Sequence, residues 1–146
     1  MAKRILILED DIDAADTLKI LLSVKGFIVD LAYDGRQGVT KLRANKPDLM
    51  VTDQSMPIMD GWAVLVAVRR DPNYANMPIA ILTSSKEPQN IEKARKFGVN
   101  AYWLKPYDAA KVVRGIQHLL EPQSDPSEKE SFSGLMEGDM IEKGGL

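Results

Sequence analysis

Five short apolar runs punctuate the chain: Ile5-Leu8, Phe27-Ala32, Leu49-Thr52, Ile79-Leu82 and Ala101-Leu104. Each has the length of a strand, and helix-like segments separate them. Strands that alternate with helices in this way build a parallel sheet covered by helices on both faces.

The ends of the helical segments carry their own signals. Lys25-Gly26 and Phe97-Gly98 each set a glycine where a helix gives way to the next strand, which predicts helices over about Asp13 to Lys25 and Pro88 to Phe97. Lys46-Pro47 closes a second helix over Gly35 to Asn45, and Asp71-Pro72 closes a third over Gly61 to Arg70. A fifth helix is expected from Tyr107 to Leu120, weakened slightly by Gly115. Beyond Pro122 the text turns to Ser, Glu, Lys, Gly and Pro, with scattered Phe132, Leu135, Met136, Met140 and Ile141. This composition predicts one folded domain over residues 1–122 and a flexible acidic and polar tail over 123–146, with a docking segment as the alternative reading of its apolar residues.

Composition narrows the function classes. The 146 residues are 45% hydrophobic and 27% charged, enough for one globular α/β domain. Cysteine is absent, which excludes thiolate metal sites and thiol catalysis and is compatible with a reducing cytoplasm, the expected location. The longest apolar stretch, Trp62 to Val68, is far shorter than a membrane span, and no signal peptide is read at the start. The formal charge is −2, and residues 123–146 hold six acids against two bases, leaving 15 acids and 17 bases before them. Neither part has the basic excess of a nucleic-acid binder.

In an open parallel sheet, ligands collect beyond the carboxyl ends of the strands. Those ends here are Glu9-Asp10-Asp11, Asp53, Thr83-Ser84 and Lys105-Pro106. Gathered acids repel one another and raise each other's pKa unless a cation lies among them. A hard oxygen-preferring ion, Mg²⁺ or Mn²⁺ in its place, answers that need, whereas zinc would want His or Cys. Asp53 is then the candidate nucleophile toward phosphorus, Lys105 the cation that neutralises the transferred oxygens, and Thr83 a hydroxyl able to turn toward them.

The acidic pair after the first strand, the run Asp53-Gln54-Ser55-Met56-Pro57-Ile58-Met59-Asp60-Gly61, Leu82-Thr83-Ser84 and Tyr102-Trp103-Leu104-Lys105-Pro106 occur together in one order. In these four motifs, over about Ala2 to Glu121, the chain resembles the response-regulator receiver domains of two-component signalling. The resemblance implies a doubly wound, flavodoxin-like sheet in the order 2-1-3-4-5. It implies that Asp53 takes a phosphoryl group from a histidine kinase, a phosphotransfer protein or a small phosphodonor, and that the domain catalyses both its gain and its loss. Asp10 becomes a direct metal ligand, Glu9 acts largely through water, and the backbone carbonyl of Ser55 joins Asp53 among the ligands. Thr83 and Tyr102 become the switch pair, and the surface of helix four, strand five and helix five becomes the face read by a downstream protein. A cis Lys105-Pro106 bond is implied as well. The resemblance carries no expectation of direct nucleic-acid or membrane contact, and the chain is expected to be a monomer or weak dimer.

Plainer readings stand beside these. Asp11 is read as a helix cap, with Asp13 competing for that duty. Of Tyr102 and Trp103, one is expected packed and the other nearer the surface. Trp62 is read as packing, His118 as solvent-facing, and Arg69, Arg70, Lys93, Arg95 and Lys96 as solvated helix faces. The rival functions are an aspartyl-phosphate phosphatase of the haloacid-dehalogenase type built on Asp11 and Asp13, a flavodoxin-like cofactor binder, and a receiver cut from a longer regulator.

Overall fold

A computed structural model describes residues 2–56 and 58–121. Pro57 and the tail from Pro122 onward, including Phe132, Leu135, Met136, Met140 and Ile141, lie outside the described residues.

The chain alternates strand and helix throughout: β1 (Arg4–Leu8), α1 (Ile12–Val24), β2 (Ile28–Ala32), α2 (Gly35–Asn45), β3 (Leu49–Asp53), α3 (Gly61–Arg70), β4 (Ile79–Thr83), α4 (Pro88–Lys96), β5 (Ala101–Leu104) and α5 (Ala109–Leu120). A short 3-10 turn, Pro72–Tyr74, is an addition that the sequence pattern did not predict. The five strands pair in parallel in the order β2-β1-β3-β4-β5, the expected arrangement. Among the described residues no helix is long and apolar enough to cross a membrane.

Helix starts are set by side-chain caps more closely than by hydrophobic spacing. Asp11 accepts from the amide of Ala14, so α1 begins at Ile12, one residue before the expected start. Asp108 accepts from the amide of Ala110, which moves the start of α5 from Tyr107 to Ala109. Gly26 at φ +95° and Gly98 at φ +70° end their helices in the left-handed region that favours glycine.

Each strand faces two apolar layers. On one side Ile5, Ile7, Val29, Leu31, Val51, Leu82 and Trp103 pack with Leu18, Leu22, Val112 and Ile116 of α1 and α5. On the other, Leu6, Leu8, Met50, Ile79, Ile81 and Tyr102 pack with residues of α2, α3 and α4. Double coverage corrects the expectation for the aromatic pair in β5: Tyr102 and Trp103 point to opposite faces, yet both are buried, at 0% and 2% exposure.

A second correction concerns Arg69. Rather than lying on a solvated face, it is half-buried, and its guanidinium donates to the carbonyls of Phe97, Tyr74, Ala75, Met77 and Gly98. Five carbonyl acceptors around a planar fork of N–H donors tie the end of α3 to the 3-10 turn and to the C-terminus of α4. Burial pulls its pKa below the ordinary value.

Candidate functional site

The register of the sheet explains why distant residues meet. Leu8 pairs with both Ala32 and Thr52, Asp53 with Leu82, and Thr83 with Leu104, so the carboxyl ends of β1, β3, β4 and β5 are level. The amide of Glu9 continues the ladder to the carbonyl of Ala32 at 3.0 Å, and that of Lys105 to the carbonyl of Thr83 at 2.8 Å. Glu9, Asp53, Thr83 and Lys105 therefore emerge side by side at one rim.

Their side chains meet there. The Lys105 Nζ donates to Asp53 Oδ2 at 2.6 Å and to Glu9 Oε1 at 2.8 Å, forming ion pairs with both. The amide of Ser55 donates to Asp53 Oδ1 at 3.1 Å, which fixes the carboxylate plane from the other side. Glu9 and Asp53 are buried, at 1% and 5% exposure, whereas Asp10 is exposed. Glu9, Asp10 and Asp53 each present one carboxylate oxygen, and these lie within 4.8 Å of one another. An all-oxygen donor set of this size, open on the Asp10 side, fits a hard divalent cation such as Mg²⁺.

The electrostatics agree with a site built to hold positive charge. Burial pushes the Glu9 carboxyl up to about 7, with the neighbouring Asp53 adding to the rise and Lys105 opposing it. Burial alone would lower the Lys105 ammonium, yet its hydrogen bonds to Asp53 and Glu9 hold it above the ordinary lysine range. Burial, followed by the charge of Glu9, also raises the hydroxyl of Tyr107.

Next to this cluster an open cleft is lined by Gln54, Ser55, Trp62, Thr83, Ser84 and Lys86, among others. Thr83 is buried; its hydroxyl oxygen accepts from the amide of Ser85 at 3.1 Å, and the hydroxyl also hydrogen-bonds the Tyr102 side chain. Ser84 is exposed at the mouth of the cleft. Tyr102 donates its hydroxyl to the carbonyl of Ser85 at 3.0 Å, and burial raises its pKa. Asn90, in the first turn of α4, donates to the Ser85 hydroxyl at 2.7 Å. Ser85 thus joins Thr83, Tyr102 and α4, a role that sequence reasoning missed because Ser85 holds Thr83 and Tyr102 through its own amide and carbonyl, which every residue possesses.

Other readings resolve as follows. Asp11 caps α1, and Asp13 is exposed on that helix, so these two do not form a nucleophile and acid pair. Trp62 stacks on Phe97 with centroids 6.3 Å apart, and Lys93 sits 4.6 Å above its ring, so Lys93 is a packing cation rather than a purely solvated one. Gln54 is buried, with its Nε2 lacking a hydrogen-bond partner among the described residues. His118 is half-buried near the end of α5 rather than solvent-facing. The Lys105-Pro106 bond is cis, as the resemblance implied.

Similarity to known proteins places this geometry in context. The family described as "Response regulator receiver domain" matches residues 5–117. An uncharacterized 14.6 kDa protein of Leptolyngbya boryana is 33% identical over 113 residues, covering 77% of this chain and 86% of that protein. The DNA-binding dual master transcriptional regulator RpaA of Synechocystis is 32% identical over 117 residues, 80% of this chain and 48% of RpaA. The transcriptional regulatory protein PrrA of Mycobacterium tuberculosis is 31% identical over the same length, 49% of PrrA. The chain thus spans about half the length of these two curated relatives. Among solved structures, the chemotaxis protein CheY4 of Vibrio cholerae superposes with a TM-score of 0.77 at 26% identity, covering 82% of this chain and all of that one.

Proposed function

Because the chain belongs to the family of response-regulator receiver domains, we propose that Asp53 is its phosphoryl acceptor and Lys105 the cation that draws the phosphoryl group onto it. The observation that carries this reading is the bridge from the Lys105 Nζ to Asp53 at 2.6 Å and to Glu9 at 2.8 Å, at a rim where Asp10 adds a third carboxylate. An ammonium in this position sets a positive charge where the oxygens of an incoming phosphoryl group arrive, beside a carboxylate oxygen able to attack phosphorus.

Asp10, Asp53, the backbone carbonyl of Ser55 and, through water, Glu9 would hold Mg²⁺. When bound, the ion screens the charge of an incoming phosphoryl group and of the acidic cluster. The chain's residues do the rest. An Asp53 oxygen forms a bond to phosphorus while the donor's bond to phosphorus breaks, its electron pair leaving with the phosphohistidine nitrogen or the acyl oxygen of a small donor. The Lys105 Nζ, released from its contact with Asp53 Oδ2, neutralises one of the transferred oxygens, and the Thr83 hydroxyl turns to donate its proton to another.

That last step couples the site to a surface. Thr83 can turn only by giving up the amide of Ser85, and Ser85 is also held by Tyr102 and Asn90. Phosphorylation then shifts the population between two packings of the loop before α4, and a partner reads the change on α4, β5 and α5. The phosphodonor is a histidine kinase or a phosphotransfer protein, and the working unit is residues 1–122, in the cytoplasm. A receiver within a longer regulator is the second reading, favoured by the doubled length of RpaA and PrrA. The phosphatase reading is not favoured, since Asp11 is spent on a helix cap.

Incubation with Mg²⁺ and acetyl phosphate, followed by intact-mass measurement, tests the acceptor. The wild-type chain gains one base-labile phosphoryl group and Asp53→Asn gains none. An equal gain in both proteins removes Asp53 from the reaction.

A further inference from the structure

Helix α1 carries two apolar stripes. Ala15, Leu18 and Leu22 form the inner one and are fully buried against the sheet and α5. The outer one consists of Ile20, Leu21 and Val24, exposed by 63%, 37% and 78%. The spacing i, i+1, i+4 places these three on one patch of the helix surface, facing away from the core. Exposed Asp16, one turn before Ile20, and exposed Lys25, one turn after Leu21, border it, so the rim of the patch carries both signs of charge. Nothing in the phosphoryl-transfer site uses it: α1 starts beside the acidic cluster and carries this patch away toward the opposite end of the sheet.

The same end of the sheet is where the chain leaves α5. Helices α1 and α5 both run back from the carboxyl ends of their strands, they touch, and Leu119 and Leu120 pack against the cluster that contains Leu18 and Leu22. The last turn of α5 therefore lies near the last turns of α1, and residues 123–146 follow it in the chain. Their sequence supplies the apolar residues Phe132, Leu135, Met136, Met140 and Ile141 among six acids and two lysines. The segment 122–131 that precedes Phe132 can reach about 30 Å when extended, more than the roughly 20 Å length of α1.

We propose that the acidic, apolar segment 132–141 of the chain itself covers the Ile20, Leu21 and Val24 face of α1. Three side chains offer too little area for a stable contact between separate molecules, where specific interfaces need about 800 Å² per partner. Tethering removes that requirement, because a short linker holds the segment at an effective concentration of about a millimolar, so a contact too weak to act between molecules is populated within one. The tether also favours this occupant over a second copy, which no linker holds near the face. A protein that reads the far end of α1 must first displace this segment.

The absence of cysteine makes the test direct. A single thiol is introduced by Val24→Cys in the full chain, and its rate of reaction with a neutral alkylating reagent is measured with the native tail and with Phe132→Ser, Leu135→Ser and Met136→Ser combined. Ala44→Cys, on exposed α2, serves as the control position. The expected result is that the thiol at position 24 reacts about threefold to tenfold faster once the tail is altered, independently of protein concentration, while the thiol at position 44 reacts equally in both backgrounds. Equal rates at position 24 overturn the proposal. Protection that grows with protein concentration overturns it too and assigns the face to a second copy.

Discussion

Replacing Lys105 by Met removes a cation that touches Asp53 at 2.6 Å and Glu9 at 2.8 Å, and leaves two buried carboxylates facing each other. Breaking a buried ion pair from one side costs about 3–5 kcal/mol, because the remaining charge stays desolvated. The Lys105 side chain is 31% exposed, so water already shares its role, and the loss is set lower, at about 2 kcal/mol. The loss also depends on pH. Burial has already raised the Glu9 carboxyl from 4.5 to about 7 against the opposing pull of Lys105, and removing Lys105 drives it further up. A carboxyl with a raised folded pKa binds its proton more tightly in the fold than in the unfolded chain. Its contribution is therefore intact below pH 4.5 and is lost as pH climbs through 7. The Lys105→Met protein should unfold in urea near the wild-type midpoint at about pH 5 and fall behind it at about pH 8. Millimolar Mg²⁺ at the higher pH should then stabilise the variant more than the wild type, since the ion replaces the missing charge. Coincident midpoints at pH 8 without metal, or a larger Mg²⁺ effect on the wild type, would refute the electrostatic account of the site.

Three further outcomes are expected. Gly61→Ala sets a Cβ 2.5 Å from the carbonyl oxygen of Asp53 and 2.7 Å from the Cα of Gln54, both backbone atoms, so Asp53, the proposed acceptor, must shift; phosphoryl uptake from acetyl phosphate should slow by about tenfold or more, and an unchanged rate would mean the loop absorbs the clash. Tyr102→Phe deletes one hydrogen bond to Ser85 and should cost about 1 kcal/mol while leaving phosphoryl uptake intact; hydrogen exchange over residues 84–90 should then respond less to phosphorylation, and an unaltered response would separate Tyr102 from the switch. Arg69→Met strips donors from five carbonyls, of which those of Tyr74, Met77 and Phe97 are partly buried, and should lower stability by about 3 kcal/mol in urea denaturation; a change below about 1 kcal/mol would show that water replaces the guanidinium.

Most of the fold and the rim of the site were legible along the chain. Apolar runs over Ile5-Leu8 or Ile79-Leu82 have one stable use, as strands buried on both faces, and residues that end parallel strands must share an edge. Glu9, Asp53, Thr83 and Lys105 could therefore be assigned to one place from their positions alone, and the sheet register brought them there. Local rules also set most helix limits, since glycine or proline chemistry acts over one or two residues. Tertiary structure decided what depends on atoms that sequence separates. Arg69 and Arg70 are adjacent and alike in the sequence, yet only contact with carbonyls up to 29 positions away makes Arg69 a strut. Alternation along β5 separates Tyr102 from Trp103 by face, but the burial of both follows from α4 and α5 covering an edge strand on its two sides. The resemblance already paired Thr83 with Tyr102, but Ser85 joins them through main-chain atoms that every residue possesses, so no pattern of side chains could announce its part. Sequence determines which chemistry is available at the ends of the strands, and folding determines which of those groups come within a hydrogen bond of one another.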